Sequence, residues 1–193
     1  LNLRAMKAEL PVHHWSTLPE LVDLPRMLAE AAPRTHHMLV RKRSSAALPL
    51  VPETPSPEVL QAAASRCRVC PWVDEHQPTV WGEGPRDAEL VFVAEQPGDT
   101  EDQVWRPLVG PSGAVFDELL INCGVDRGQV YVTNAVKHFK HRKLPQRRLP
   151  QKPRAGDVTD CLPWLQAELR LLRPRASVCL GTTAAQALLG AGI

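Results

Sequence analysis

The chain has 193 residues, of which 44% are hydrophobic, with a formal net charge of +2 and five cysteines. That is enough for one well-buried domain with residues to spare. No run of about 18 apolar residues occurs, which argues against a membrane-spanning helix, and the opening LNLRAMKAEL lacks the apolar centre of a secretion signal. An odd cysteine count in such a chain favours reduced thiols or metal ligands over disulfides, and a cytoplasmic, membrane-free, monomeric protein is expected. The first residue is not Met, which suggests a fragment of a longer chain.

Three textures follow one another. Residues 1–43 read as a helical tail, with apolar residues at helix-like intervals in LPELVDLPRMLAEAA. Residues 44–56, SSAALPLVPETPS, have the composition of a linker. Residues 57–193 alternate between strand and helix. Ser56 and Pro57 are an N-cap and first helical residue for PEVLQAAA. ELVFVAE (89–95) is a buried strand that stops at Pro97-Gly98, and GAVFDELLINCG (113–124) is a helix that stops at Gly124. QVYVTNAV (129–136) is a second strand. A helix then runs to Pro174 with an irregularity at Pro163, ASVCLG (176–181) is a third strand, and TTAAQALLG opens a last helix. This alternation predicts an α/β fold, a three-layer α/β/α sandwich around a mostly parallel sheet. Ligands bind beyond the carboxyl ends of strands in such folds, here EQPGD, TNAVKH and GTT.

Three stretches carry potential chemistry. Cys67-Arg-Val-Cys70 has the spacing that lets two thiolates meet one metal or cluster, with Cys161 and His138 available downstream; inert buried thiols are the plainer alternative. The segment AEQPGDTEDQVWRPLVGPSG (94–113) orders a carboxylate, a Pro-Gly turn, three acids and a second glycine turn opening a helix, whose N-terminus suits a phosphate. KHFKHRKLPQRRLPQKPR (137–154) holds eight basic residues and no acid, and it follows the second strand on the ligand side.

In order along the chain, VFVAEQPGDTEDQVWRPLVGPSG, VYVTNAVKHFK, QRRLPQKP, CLPWLQAEL and CLGTTAAQALLG resemble the iron–sulfur uracil-DNA glycosylases, and within them the X-type branch. The resemblance runs from about Cys67 to Gly190. It implies a four-iron, four-sulfide (4Fe-4S) cluster on Cys67, Cys70, His138 and Cys161; the same ligand types also suit structural zinc. It implies single-stranded uracil-containing DNA as partner and hydrolysis of the uracil N-glycosidic bond in base-excision repair. Glu95, Gln96 and Asp102 then belong to the water and uracil pocket as catalytic residues, and Leu108 and Asn134 to base binding. Lys140, Arg142, Lys143, Arg147 and Arg148 would grip the DNA backbone. Residues 1–43 resemble the tail of a module fused upstream of such enzymes.

Four departures temper that expectation. Pro150 stands where the X-type branch keeps a nucleophilic histidine, so covalent trapping of DNA is expected to be lost. Leu108 replaces a stacking phenylalanine, and Trp105 replaces a glycine and is expected to crowd the pocket. The chain stops before the family's last strand and His-Pro-Ser loop, so these 193 residues alone are expected to turn over little substrate. A second reading is therefore a non-catalytic, cluster-containing DNA-binding or damage-sensing module.

Overall fold

The fold is that of a computed structural model, which describes residues 45–73 and 77–190 together with Arg26. The helical tail expected over 1–43 lies, apart from Arg26, outside the described residues. Among the described residues the first full helix, α1 (Pro57–Ala64), starts as its sequence requires: Val59 N donates to Ser56 Oγ at 3.3 Å and Pro57 occupies the first turn. Three parallel strands follow, β1 (Leu90–Ala94), β2 (Val130–Asn134) and, later, β5 (Ala176–Cys179), in spatial order β2-β1-β5. Leu90 pairs with Val130 on one side and Ala176 on the other.

Period-two alternation divides the sheet residues between two cores. Val91, Val93 and Tyr131 face one helical layer, against Leu165, Leu169 and Leu172 of α4 (Ala155–Leu172) and Ala184 and Ala187 of α5 (Thr182–Leu189). Leu90, Phe92, Val130 and Val132 face the other, against Phe116 and Leu120 of α3 (Pro111–Asn122). Helices thus cover both faces, giving the three layers that the strand–helix alternation predicts. Each fully buried Leu, Val or Phe here contributes roughly 1.5–3 kcal/mol. Among the described residues β5 pairs only with β1, so it is a sheet edge.

Four local features refine or correct the reading of the sequence. Residues of the expected linker dock rather than float: Ser45 Oγ donates to Asp160 O at 3.0 Å, and Ala47 is buried with Leu60, Ala64 and Trp164 between α1 and α4. The acids Asp99, Glu101 and Asp102 form the first turn of a short helix, α2 (Asp99–Val104), where the positive helix end favours them. The basic stretch contains a hairpin, β3 (His141–Lys143) with β4 (Arg148–Pro150), in which His141 lies opposite Pro150. Pro163 sits inside α4, which runs unbroken across it. Among the described residues no helix is long and apolar enough to cross a membrane.

Candidate active site and metal centre

The carboxyl ends of β1 and β2, α2, the start of α3 and the hairpin enclose a cavity of about 630 Å³. Glu95, Gln96, Leu108 and Asn134 all line it, together with Phe116, Phe139 and Pro150. Residues separated by up to 55 positions in the chain thus meet because parallel strands end side by side: Ala94 pairs with Asn134 in register.

Asn134 is 1% exposed and its Nδ2 has no hydrogen-bond partner. A buried amide donor without an acceptor costs about 1–3 kcal/mol, so this atom is primed for a ligand acceptor. The Glu95 carboxylate accepts from Thr183 Oγ1 of α5. Gln96 is engaged at both ends of its amide: Lys140 N donates to Oε1 at 3.1 Å, and Nε2 donates to Gln151 O at 3.0 Å. It therefore ties β1 to the base of the hairpin. Asp102 does not line the cavity; it is buried and accepts from Gln77 Nε2 and from Arg148 Nη1, the latter at 2.5 Å.

The wall at Leu108 is held in an unusual conformation, with φ 49°. A positive φ is costly for a leucine, and three contacts keep it there. Arg127 Nη2 donates to Pro107 O and Leu108 O, both at 3.3 Å, and its guanidinium lies 5.0 Å from the centre of the Phe116 ring. The Gly113 backbone packs so closely that a Cβ there would lie 2.1 Å from Leu108 O. Glu101, buried, closes the loop: Val109 N and Gly110 N donate to its Oε1 at 3.2 and 2.8 Å, and Gly98 N donates to Oε2 at 3.1 Å. The glycine turn expected to receive a phosphate thus already holds a carboxylate. Trp105, expected to crowd the pocket, is instead 60% exposed with φ 56° and does not line the cavity.

The five basic candidates separate into two groups. Arg142, Lys143 and Arg147 are exposed on the hairpin. Lys140 is buried, with Nζ 2.5 Å from Asp157 Oδ2. Arg148 joins the hairpin to α2 through Asp99 Oδ1 and Asp102 Oδ2, each at 2.5 Å, and covers the Phe139 ring at 5.3 Å. Phe139 is also stacked on His141, with ring centres 4.9 Å apart. Neither Phe116 nor Phe139 was singled out as a pocket wall from sequence. The signal for Phe139 was present as the only apolar side chain in KHFKHRK, directly after a strand end.

Cys67, Cys70 and Cys161 are all buried, and Cys67 and Cys161 pack with Trp81 and Trp164. Burial pushes the Cys70 and Cys161 thiols up to about 12; the neighbouring Cys67 and Cys161 sulfurs add to the effect at Cys70. His138 is 2% exposed, and burial, followed by the Arg68 charge, pushes its imidazole down to about 4. One ring nitrogen is held by a backbone hydrogen bond at Gln77, and Nε2 has no partner. That is the arrangement of a neutral imidazole whose tautomer leaves a lone pair for a metal. Among the described residues no three His, Cys, Asp or Glu side chains converge on one point suited to a single metal ion.

Comparison with known proteins places the site in a family. The family model of the uracil DNA glycosylase superfamily matches residues 81–192, which include every residue lining the cavity. The chain belongs to the uracil-DNA glycosylase superfamily. It is 35% identical over 130 residues to the type-4 uracil-DNA glycosylase of Pyrobaculum aerophilum, a match covering 67% of this chain and 63% of that protein. The type-4 enzyme of Thermotoga maritima is 35% identical over 127 residues (66% and 62%), and that of Archaeoglobus fulgidus 38% identical over 120 residues (62% and 57%). The chain therefore spans between 57% and 63% of the length of these relatives.

Proposed function

We propose that this chain supplies the base pocket of a DNA-repair enzyme that binds uracil-containing DNA and hydrolyses the bond between uracil and deoxyribose. The observation that carries this reading is the unpartnered Asn134 Nδ2 at the buried end of a cavity also lined by Glu95. A uracil flipped out of the stack, at a cost of a few kcal/mol, presents carbonyl acceptors that this donor can satisfy. The C1′–N1 bond breaks with its electron pair going to the base, and water adds to C1′. Positive charge then builds on the sugar and negative charge on uracil. The Glu95 carboxylate faces the former and takes the water proton, which passes on to the departing uracil; the Asn134 amide stabilises the latter. Gln96 contributes by fixing the pocket mouth, and Asp102 by anchoring Arg148. Leu108, Phe116 and Phe139 supply an apolar lining in which these polar contacts strengthen.

Arg142, Lys143 and Arg147 are the exposed cations for DNA phosphates, an interaction that weakens steeply with salt. An unpaired strand as substrate avoids the cost of opening a duplex, and nothing in the pocket requires a second protomer. With proline at position 150, the hairpin offers no nucleophile at that point, so hydrolysis rather than a covalent DNA adduct is the outcome.

Cys67, Cys70, Cys161 and His138 would hold a 4Fe-4S cluster. The unpartnered Nε2 of His138 and three buried thiols, two of them in one apolar cluster, fit such a group. Each ligand of a cluster binds its own iron, so the ligands need not converge as they must on one zinc ion. The cluster would fasten the segment after α1 and the start of the hairpin to α4.

The test is incubation of the complete gene product with a single-stranded oligonucleotide carrying one uracil. Free uracil with no heat-stable protein–DNA adduct supports the reading. Tight binding without release would favour the DNA-binding module, for which the retained cations and altered residues 108 and 150 speak.

A further inference from the structure

Glu95 is positioned by a residue that the pocket reading leaves unused. Thr183, in the first turn of α5, is 4% exposed and donates its hydroxyl to Glu95 Oε2 across 88 positions of sequence. No other hydrogen bond reaches this carboxylate among the described residues. The contact joins two strand ends, because Leu180 N donates to Val93 O at 2.8 Å and so fixes the turn between β5 and α5 beside the end of β1. Leu180 also lines the cavity, whereas Thr183 does not. Thr183 thus acts from behind Glu95 and does not touch the ligand.

We propose that Thr183 is the positioning residue of Glu95: its hydroxyl fixes Oε2 and leaves Oε1 as the oxygen offered to the reacting sugar and water. A carboxylate at a strand end has two rotatable bonds beyond Cβ, and among the described residues its one hydrogen bond is the one from Thr183. One buried hydroxyl donor is what restricts it to a single rotamer. A threonine suits this task, since its branched Cβ leaves few χ1 states in a helix and so carries the hydroxyl in a set direction. The other charged groups lining the cavity are Asp99, paired with Arg148, and Glu101, held by three backbone N–H groups. Neither donates to Glu95, and among the described residues Thr183 alone does.

This inference rests on the hydrolytic reading, and its test separates the two. Thr183→Val keeps the shape and removes the donor; Thr183→Ser keeps the donor. In the complete gene product acting on single-stranded uracil DNA, T183V should lower kcat by about 10–100-fold, part of the roughly 100–10,000-fold that a positioned acid–base group contributes, with KM within about twofold. T183S should restore most of kcat. Equal kcat in wild type and T183V, or equal loss in T183S and T183V, would overturn the proposal. If the wild type itself releases no uracil, the hydrolytic reading fails, and crystal structures of wild type, T183V and T183S decide the Thr183 claim. One Glu95 rotamer in wild type and T183S, with a different or divided rotamer in T183V, supports positioning; the same single rotamer in all three overturns it.

Discussion

The backbone N–H of Lys137 donates to Cys161 Sγ at 3.2 Å, while the Nζ of the same residue lies 2.5 Å from Glu168 Oε2. Cys161 and Glu168 lie two turns apart on one face of α4, so a single residue after β2 grips that helix at two levels. The ion pair is almost fully buried, and Glu168 also accepts from Tyr131 Oη at 2.9 Å, Thr133 Oγ1 at 2.8 Å and Gly82 N at 3.1 Å. The helix that holds a candidate cluster ligand is thereby locked to the strand that ends in Asn134.

Breaking that pair from one side strands a buried ammonium. Glu168→Ala should destabilise the fold by about 3–5 kcal/mol, and the double change K137M/E168L should recover much of it, because no charge then remains unpaired. Urea unfolding measures both. A loss below about 1 kcal/mol for E168A would show that the pair is not buried in solution.

Gly113 is required by proximity. A Cβ at this position would meet the Leu108 carbonyl oxygen at 2.1 Å, and backbone cannot yield as a side chain can. Gly113→Ala should cost about 1–3 kcal/mol, as overpacking does, and should displace the Leu108 wall of the cavity. The expected signature is a lower melting temperature together with weaker binding of uracil. An unchanged melting temperature would mean that the loop relaxes freely.

Arg148 latches the hairpin to α2 through Asp99 and Asp102. Arg148→Gln removes both ion pairs and the cover of the Phe139 ring. Hydrogen exchange at the amides of residues 141–150 should accelerate, while exchange in β1 and β2 stays as in the wild type. Uniform acceleration throughout the chain would contradict a local latch.

Much of this arrangement was legible in the sequence, because the layer pattern depends on periodicity. The runs LVFVA and VYVTN could be nothing but buried parallel strands once helices of opposite face separated them, and their ends then had to carry Glu95 and Asn134. What escaped was set by tertiary partners. Arg147 and Arg148 read alike in a basic run, yet only the latter meets carboxylates from α2. Glu101 read only as one of three acids after a Pro-Gly turn, because nothing local reveals that Val109 and Gly110 fold back onto it. Trp105 was misplaced because its side-chain direction depends on a left-handed backbone that a tryptophan rarely adopts.

The proposed cluster has its own test. As purified under anaerobic conditions, the protein should be brown and contain iron and sulfide in equal amounts. Cys161→Ser should lose the visible absorbance, and His138→Cys should retain it, since thiolate is the commoner cluster ligand. A colourless protein carrying one zinc per chain would establish the structural-zinc alternative.

The central claim is that Asn134 Nδ2 is a donor waiting for uracil, and the amide itself can report it. The side-chain amide resonances of nitrogen-15-labelled Asn134 should shift progressively as free uracil is added. Cytosine, which presents an amino donor where uracil has a carbonyl acceptor, should leave them in place. No response to uracil, or an equal response to cytosine, would contradict the account.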